Sequence, residues 1–135
     1  MEKDNSTKLI RSGLKRTEFM ETSEPLFLTS GFVYNSAEEA EDAFKERKKR
    51  FMYSRFGNPT VQMLQDKLAD IEGAEVCWCT STGMAAVFTI FMSFLKKGDR
   101  VVAGRALFGS CHHIITEILP RFGIEVELID GKDLD

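Results

Sequence analysis

A short polar turn in the middle of the sequence has the composition of an anion-binding site. Ser81, Thr82 and Gly83 stand just before an apolar segment that begins at Met84. If that segment is a helix, its first amides have no partner within the helix, and the helix dipole favours a negative charge there. Gly83 lets the backbone approach an oxygen closely, and the hydroxyls add donors. By itself the pattern fits an ordinary helix cap as well as a phosphate site.

A tyrosine and an arginine lie on an irregular segment upstream of this turn. Arg55 offers a planar fork of donors that suits phosphate oxygens, and Tyr53 offers a hydroxyl. Taken alone, two such residues are most often part of the surface.

Two cysteines and a Cys-His-His run are the candidates for metal or redox chemistry. Cys77 and Cys79 would face the same side of a strand, but Cys-x-Cys lacks the second half of a zinc site. Consecutive residues of the run 111–113 diverge by about 100° each on a helix and cannot all face one ion. We therefore expect no metal site, and two small side chains that pack under a sheet.

The order and spacing of the polar residues resemble one enzyme family. Residues 53–60 are Tyr-Ser-Arg-Phe-Gly-Asn-Pro-Thr, and residues 81–86 are Ser-Thr-Gly-Met-Ala-Ala. This pattern is similar to that of the cystathionine γ-synthase-like enzymes of cysteine and methionine metabolism, which are fold-type I enzymes dependent on pyridoxal 5'-phosphate (PLP). The resemblance covers nearly the whole chain from about Leu14.

The resemblance implies that five residues bind PLP. In such enzymes the tyrosine and the arginine reach the cofactor phosphate of the neighbouring subunit, which implicates Tyr53 and Arg55. The backbone amides of Gly83 and Met84 would hold the phosphate of the chain's own cofactor. Phe108 stands where many relatives have a tyrosine that stacks on the cofactor. A phenyl ring also stacks, but it exchanges no proton.

Within the family, residues 24–33, 36–40 and 108–110 look most like O-succinylhomoserine sulfhydrylases. These enzymes replace the succinyl group of O-succinylhomoserine with sulfide, giving homocysteine and succinate for methionine biosynthesis. The lysine that holds PLP as a Schiff base lies well beyond position 135 in such proteins. The resemblance therefore implies an N-terminal fragment without a catalytic residue, inactive alone. Its partners would be a homoserine ester, sulfide and copies of itself, in a homodimer or homotetramer.

Other functions stay open at this point. The chain resembles a cystathionine γ-synthase or γ-lyase almost as well, because the substrate-selecting residues of the family lie largely downstream. A non-catalytic PLP- or phosphate-binding module would need the same turn at Gly83. A Rossmann-type dinucleotide binder is disfavoured, because the turn lacks Gly-x-Gly-x-x-Gly.

The segments that carry these residues alternate between helical and strand patterns. We predict helices over residues 36–50, 59–72, 84–95 and 110–119, and strands over residues 75–79, 100–103 and 124–129. This order indicates an α/β fold with a mostly parallel sheet and flanking helices, and the resemblance makes it the first, truncated part of a fold-type I PLP-transferase domain. Residues 1–58 would be an N-terminal arm and helix with dimer contacts, and residues 59–135 the beginning of the PLP-binding domain.

Local markers support these helices. Ser36 and Glu39 form a capping box, while Asn58 and Pro59 suit the start of a helix and Gly73 suits its end. Residues 84–95 are apolar nearly all round, which predicts a buried helix.

Composition excludes several classes of protein. The chain has 135 residues, of which 43% are hydrophobic and 29% charged, as in a globular domain or part of one. A formal net charge of −3 offers no basic excess for nucleic acid or an anionic membrane. The first ten residues are polar, and the longest apolar stretch is too short to span a bilayer, so we expect a cytoplasmic protein.

Overall fold

The computed structural model describes residues 5–132, and the chain divides into two units. The first unit ends at Cys79 and contains the helices α1 (Asn5–Arg11), α2 (Ala37–Phe44) and α3 (Pro59–Glu72). The second begins at Thr80 and contains helix α4 (Gly83–Phe94), strand β1 (Arg100–Gly104), helix α5 (Gly109–His113) and strand β2 (Glu125–Ile129). Among the described residues, no helix is long and apolar enough to cross a membrane.

The second unit is built on two parallel strands, which confirms the predicted α/β pairing. The register of β1 and β2 joins Arg100 to Glu125 at one end and Gly104 to Ile129 at the other. Buried side chains on one side form the core of this unit: Ile114, Ile115, Leu119 and Ile124. The helical segment 109–122 connects the two parallel strands, and half-buried apolar side chains of α4 also pack against this core.

The predicted helix over residues 110–119 is present, but its pitch changes twice. After α5 the chain continues as a π-helical turn over Ile114–Ile118 and a 3-10 turn over Leu119–Phe122. The change comes just before Pro120, which has no N–H to bond the carbonyl oxygen four residues earlier. Gly123 then ends the helix in the left-handed conformation, with φ of 74°.

Two expectations for the middle of the chain were wrong. Helix α4 is not buried all round: it has no fully buried residue, and Ile90 and Phe94 are 58% and 81% exposed. Residues 75–79 do not form a strand, and none of them makes a backbone hydrogen bond within the described part of the chain. The residues of both segments are apolar enough for a core. A strand, however, forms only beside another strand, and a helix is buried all round only when other elements pack against every face.

Helix α2 is shorter than predicted, and its N-terminal cap also differs from the predicted one. The Ser36 hydroxyl accepts a hydrogen bond from the Glu39 amide (3.1 Å), as predicted, but the Glu39 carboxylate returns to the amide of Asn35 (2.8 Å) and not to that of Ser36. The helix ends at Phe44, and Glu46 follows in the left-handed region with φ of 57°. Arg50 lies beyond the end of this helix and pairs with Glu39 (2.9 Å).

The N-terminal arm docks on α3 through a close backbone approach. Lys8 pairs with Asp70 (3.6 Å) and Lys15 with Asp66 (2.8 Å). Between them, Gly13 has φ of 73°, and a Cβ atom at this position would lie 2.2 Å from the carbonyl oxygen of Met63. Only glycine fits here, for both space and backbone conformation.

The start of α3 holds the segment that carries Tyr53 and Arg55. The Asn58 side-chain oxygen accepts the Thr60 amide (2.9 Å) and caps the helix, as predicted. Its NH₂ group donates to the Phe27 carbonyl and to the Ser54 hydroxyl, both at 2.9 Å. One buried amide thus joins the helix start, the arm and the turn after Tyr53.

Replacing Gly13 with alanine should loosen the arm. We expect a loss of about 1–3 kcal/mol in the stability of the docked arm, because the methyl group meets the Met63 carbonyl and φ is positive. Amide hydrogen exchange in α1 should become faster. Gly31→Ala is the matched control, since no atom lies within 4 Å of a Cβ there. Equal exchange in the two variants would contradict this account.

Replacing Asn58 with aspartate should separate its two roles. The carboxylate can still cap α3, but it cannot donate to Phe27 and Ser54. We expect helix content to persist in circular dichroism, while the free energy of unfolding in urea falls by about 1–3 kcal/mol because the Phe27 carbonyl loses its donor. Asn58→Ala, which loses both roles, should fall further. An aspartate variant as stable as the wild type would show that the donated bonds contribute nothing.

Candidate functional site

The turn at Ser81–Gly83 leads into α4 with two unused backbone amides. Thr82 is the N-cap, and its hydroxyl accepts a hydrogen bond from the Ala85 amide (3.0 Å). Gly83 and Met84 are the first two residues of the helix, as the sequence predicted. Among the described residues their amides have no hydrogen-bond partner. These N–H groups stand at the positive end of the helix dipole, where an anion is stabilised.

Open space surrounds Gly83. A Cβ atom at this position would meet nothing within 4 Å, and the backbone does not adopt a positive φ. The protein itself therefore does not require glycine at this position. A ligand held against the Gly83 and Met84 amides would require it, because a side chain would fill the space of the ligand. The residues present fit the phosphate group of PLP.

Phe108, the third candidate in the second unit, lies toward the same edge of the sheet as the start of α4. Helix α4 packs on the core and is joined to β1 by the short segment 95–99, so it runs opposite to the strand. Phe108 follows the carboxyl end of β1 and is the N-cap of α5. The start of α4 and Phe108 therefore both lie toward the carboxyl edge, where ligands bind in open α/β sheets. The Phe108 ring is 71% exposed, so core packing does not account for it.

The other two candidates lie together in the first unit. Tyr53 pairs with Gly31 in an isolated antiparallel bridge, and its side chain is 42% exposed. The Arg55 guanidinium lies 5.2 Å from the centre of the Tyr53 ring and 5.2 Å from that of Phe56. Within the described residues it forms no hydrogen bond and no ion pair. Arg55 thus keeps its donors free for an anion, as the predicted phosphate contact needs.

Sequence reasoning missed Phe56. The resemblance assigned no role to this position, and a phenylalanine side chain carries no polar group that would suggest chemistry. Its importance follows only from its position beside Arg55 and Tyr53. Arg55 and Phe56 also line a small cavity of about 170 Å³ in the first unit.

The two cysteines are both half-buried, but no strand forms here and they do not pack under a sheet as predicted. Cys77 and Cys79 are half-buried, whereas Val76 and Trp78 between and beside them are exposed. Burial, and secondarily the neighbouring Cys77 thiol, raises the pKa of Cys79, so this thiol is protonated at neutral pH. In the part of the chain that the structure describes, no group of three or more His, Cys, Asp and Glu side chains is placed to hold a metal ion.

Comparisons with known proteins agree with these features. The chain is 49% identical over 125 residues to an O-succinylhomoserine sulfhydrylase of Mycobacterium tuberculosis, an alignment that covers 93% of the chain and 31% of the relative. It is 33% identical to an L-methionine γ-lyase of Treponema denticola, with 95% and 32% coverage. The chain thus spans about a third of the length of the curated relatives that it matches.

Solved structures share the fold. A proposed O-acetylhomoserine (thiol)-lyase from Campylobacter jejuni, solved with N'-pyridoxyl-lysine-5'-monophosphate, matches with a TM-score of 0.91 and 26% identity over 99% of the chain and 33% of that structure. A cystathionine γ-lyase from Lactobacillus plantarum, in complex with L-serine, matches with a TM-score of 0.82 and 26% identity over 98% of the chain and 32% of that structure. The fold is therefore that of the fold-type I PLP enzymes.

The family assignment rests on a sequence profile as well as on these relatives. Residues 6–135 match the profile described as Cys/Met metabolism PLP-dependent enzyme. The match includes the capped turn at Gly83 and the segment of Tyr53 and Arg55. The cofactor that fits the free amides at this turn is the one that the family uses. The chain belongs to the family of PLP-dependent enzymes of cysteine and methionine metabolism.

Proposed function

We propose that the chain is the N-terminal part of an O-succinylhomoserine sulfhydrylase. The assembled enzyme would convert O-succinylhomoserine and sulfide into homocysteine and succinate. The identity of 49% to the mycobacterial sulfhydrylase supports this choice, as does 37% identity to a second one from Pseudomonas aeruginosa. The structural observation that carries it is the pair of unused amides at Gly83 and Met84 beside open space.

Five residues would hold the cofactor. The amides of Gly83 and Met84 bind the phosphate of the chain's own PLP, and Phe108 stacks on the pyridine ring. Tyr53 and Arg55 reach the phosphate of a neighbouring subunit, which makes the enzyme a homodimer or homotetramer. PLP supplies an electron-withdrawing ring that stabilises negative charge on the substrate. The residues of this chain would hold the phosphate in place and would shield one face of the pyridine ring from water.

The two halves of the chain would have different tasks in that assembly. Residues 1–58 form the arm and helix that contact the neighbouring subunit, and residues 59–135 begin the PLP-binding domain. Exposed apolar side chains of the arm support this assignment: Leu26, Leu28 and Val33 are 72%, 91% and 88% exposed. A cytoplasmic location, which the polar N-terminus favours, is part of the same proposal.

A second candidate from the same family is a lyase. The L-methionine γ-lyases among the relatives are 33–35% identical to the chain, so the resemblance to them is clear although lower. Cystathionine γ-synthase and γ-lyase also remain candidates, because the residues of this chain that face the cofactor phosphate do not select a substrate. A non-catalytic PLP-binding module would keep the same phosphate turn.

The phosphate turn can be tested by placing a charge in it. Gly83→Asp should weaken PLP binding to the purified chain at least tenfold, because a carboxylate would lie where the phosphate binds; a tenfold loss corresponds to about 1.4 kcal/mol. Helix content should not fall, since aspartate is favourable in the first turn of a helix. Dissociation constants from PLP absorbance would measure the effect. Gly131→Asp is the control for added charge, because Gly131 is also open and lies outside every helix and strand. Equal losses in the two variants would argue against a phosphate site.

The chain alone should not turn over substrate. We expect no homocysteine from O-succinylhomoserine and sulfide in the presence of PLP, because the lysine that carries the cofactor in the resembling enzymes would lie beyond position 135. General acid–base catalysis contributes roughly 10²- to 10⁴-fold, and loss of that lysine also removes the anchor of the cofactor. A thiol-specific assay of the product would measure it. Turnover that Gly83→Asp abolishes would overturn the prediction.

A further inference from the structure

We propose that Phe56 is a positioning residue that holds the Arg55 guanidinium ready for a phosphate group. The inference rests on the proposed function, in which Arg55 contacts the cofactor phosphate. Phe56 lies between Arg55 and Gly57 in the sequence and is not among the five residues proposed to hold the cofactor.

The Arg55 guanidinium lies against two neighbouring aromatic rings, on one side of the ring pair. The Arg55 guanidinium carbon is 5.2 Å from each ring centre, within the range of a cation–π contact. The rings of Tyr53 and Phe56 are 6.4 Å apart at an interplanar angle of 63°, an edge-to-face arrangement. Phe56 is 66% exposed, so the ring is not held there by a core.

A tight backbone turn keeps the three side chains together. The Tyr53 carbonyl accepts the amides of Phe56 (2.9 Å) and Gly57 (3.1 Å). The turn is tied down by Ser54, whose hydroxyl donates to the Thr29 carbonyl and accepts from the Asn58 side chain. The local backbone therefore fixes where the Phe56 ring stands.

A second arginine in the same unit differs from Arg55 in the use of its N–H donors. Arg50 also lies over an aromatic ring, that of Tyr34, at 4.5 Å. Its donors, however, are used: they contact the Glu39 carboxylate (2.9 Å) and the Val33 carbonyl (2.6 Å). Arg50 is thus part of the structure of the arm. Arg55 is held by ring faces alone, which orient the guanidinium without using its in-plane N–H groups.

This difference has a consequence for affinity. An exposed arginine side chain has several rotatable bonds, and binding an anion must restrict them. Ring faces that restrict the side chain beforehand lower that cost while all N–H donors stay available. Removing the Phe56 ring should therefore weaken phosphate binding by about twofold to fivefold, in line with an exposed cation–π contact.

The experiment follows Arg55 directly. In the purified chain, the side-chain Nε–H resonance of Arg55 should carry a ring-current shift that Phe56→Leu removes and Phe56→Tyr retains. Titration with inorganic phosphate should move this resonance, with a dissociation constant about twofold to fivefold higher in Phe56→Leu and restored in Phe56→Tyr. Phe44→Leu is the matched control, because it removes an exposed ring beside Tyr34 and away from Arg55. Circular dichroism checks that each variant is folded.

The outcomes separate this inference from the proposed function. If Phe56→Leu binds phosphate as tightly as the wild type, or if Phe56→Tyr is no better than Phe56→Leu, Phe56 does not position Arg55. If phosphate moves the Arg55 resonance in no variant while Gly83→Asp still weakens PLP binding, the inference is wrong and the phosphate turn stands. If neither Arg55 nor Gly83 matters for binding, both proposals are wrong.

Discussion

The side-chain amide of Asn58 is the interaction on which the first unit depends. A helix that begins with proline needs a cap from the residue before it, and asparagine provides one with its oxygen. Its nitrogen remains, and a buried NH₂ group must find acceptors. It finds the Phe27 carbonyl and the Ser54 hydroxyl, and so fixes the turn that presents Tyr53 and Arg55. A capping requirement at one helix thereby determines the shape of a segment that carries function.

Three of the candidate site residues, Arg55, Gly83 and Met84, share one property, which is unused hydrogen-bonding capacity. Gly83 and Met84 have free amides because the Thr82 hydroxyl caps only the third amide of α4. Arg55 has free donors because its guanidinium contacts two aromatic rings and, among the described residues, no carboxylate. Elsewhere in the described chain, cations such as Lys15 and Arg50 are paired with acids. Free donors in exposed places are typical of sites that await an anion.

Local features were predictable from the sequence, and features that depend on distant partners were not. The caps at Ser36, Asn58 and Gly73 involve neighbours in the chain, so residue type was enough to place them. The parallel pairing of β1 and β2 followed from the alternation of strands and helices. The strand over 75–79 and full burial of α4 each need a second partner, which no local pattern guarantees. Gly83 and Met84 could be placed because a helix start has fixed free amides, whereas Phe56 depends on a contact with Arg55 that spacing does not specify.

Residues 75–79 give the first unit an edge of unpaired backbone. Its backbone donors and acceptors are unpaired within the described chain, and Val76 and Trp78 are 70% and 76% exposed. Such an edge takes up an extended segment, because each added strand satisfies a row of backbone groups and covers apolar side chains. Trp78 is the only tryptophan of the sequence. The tryptophan fluorescence of the protein therefore reports on this segment: a blue shift on concentration marks burial of Trp78 by self-association, and a constant spectrum marks a side chain that stays in water.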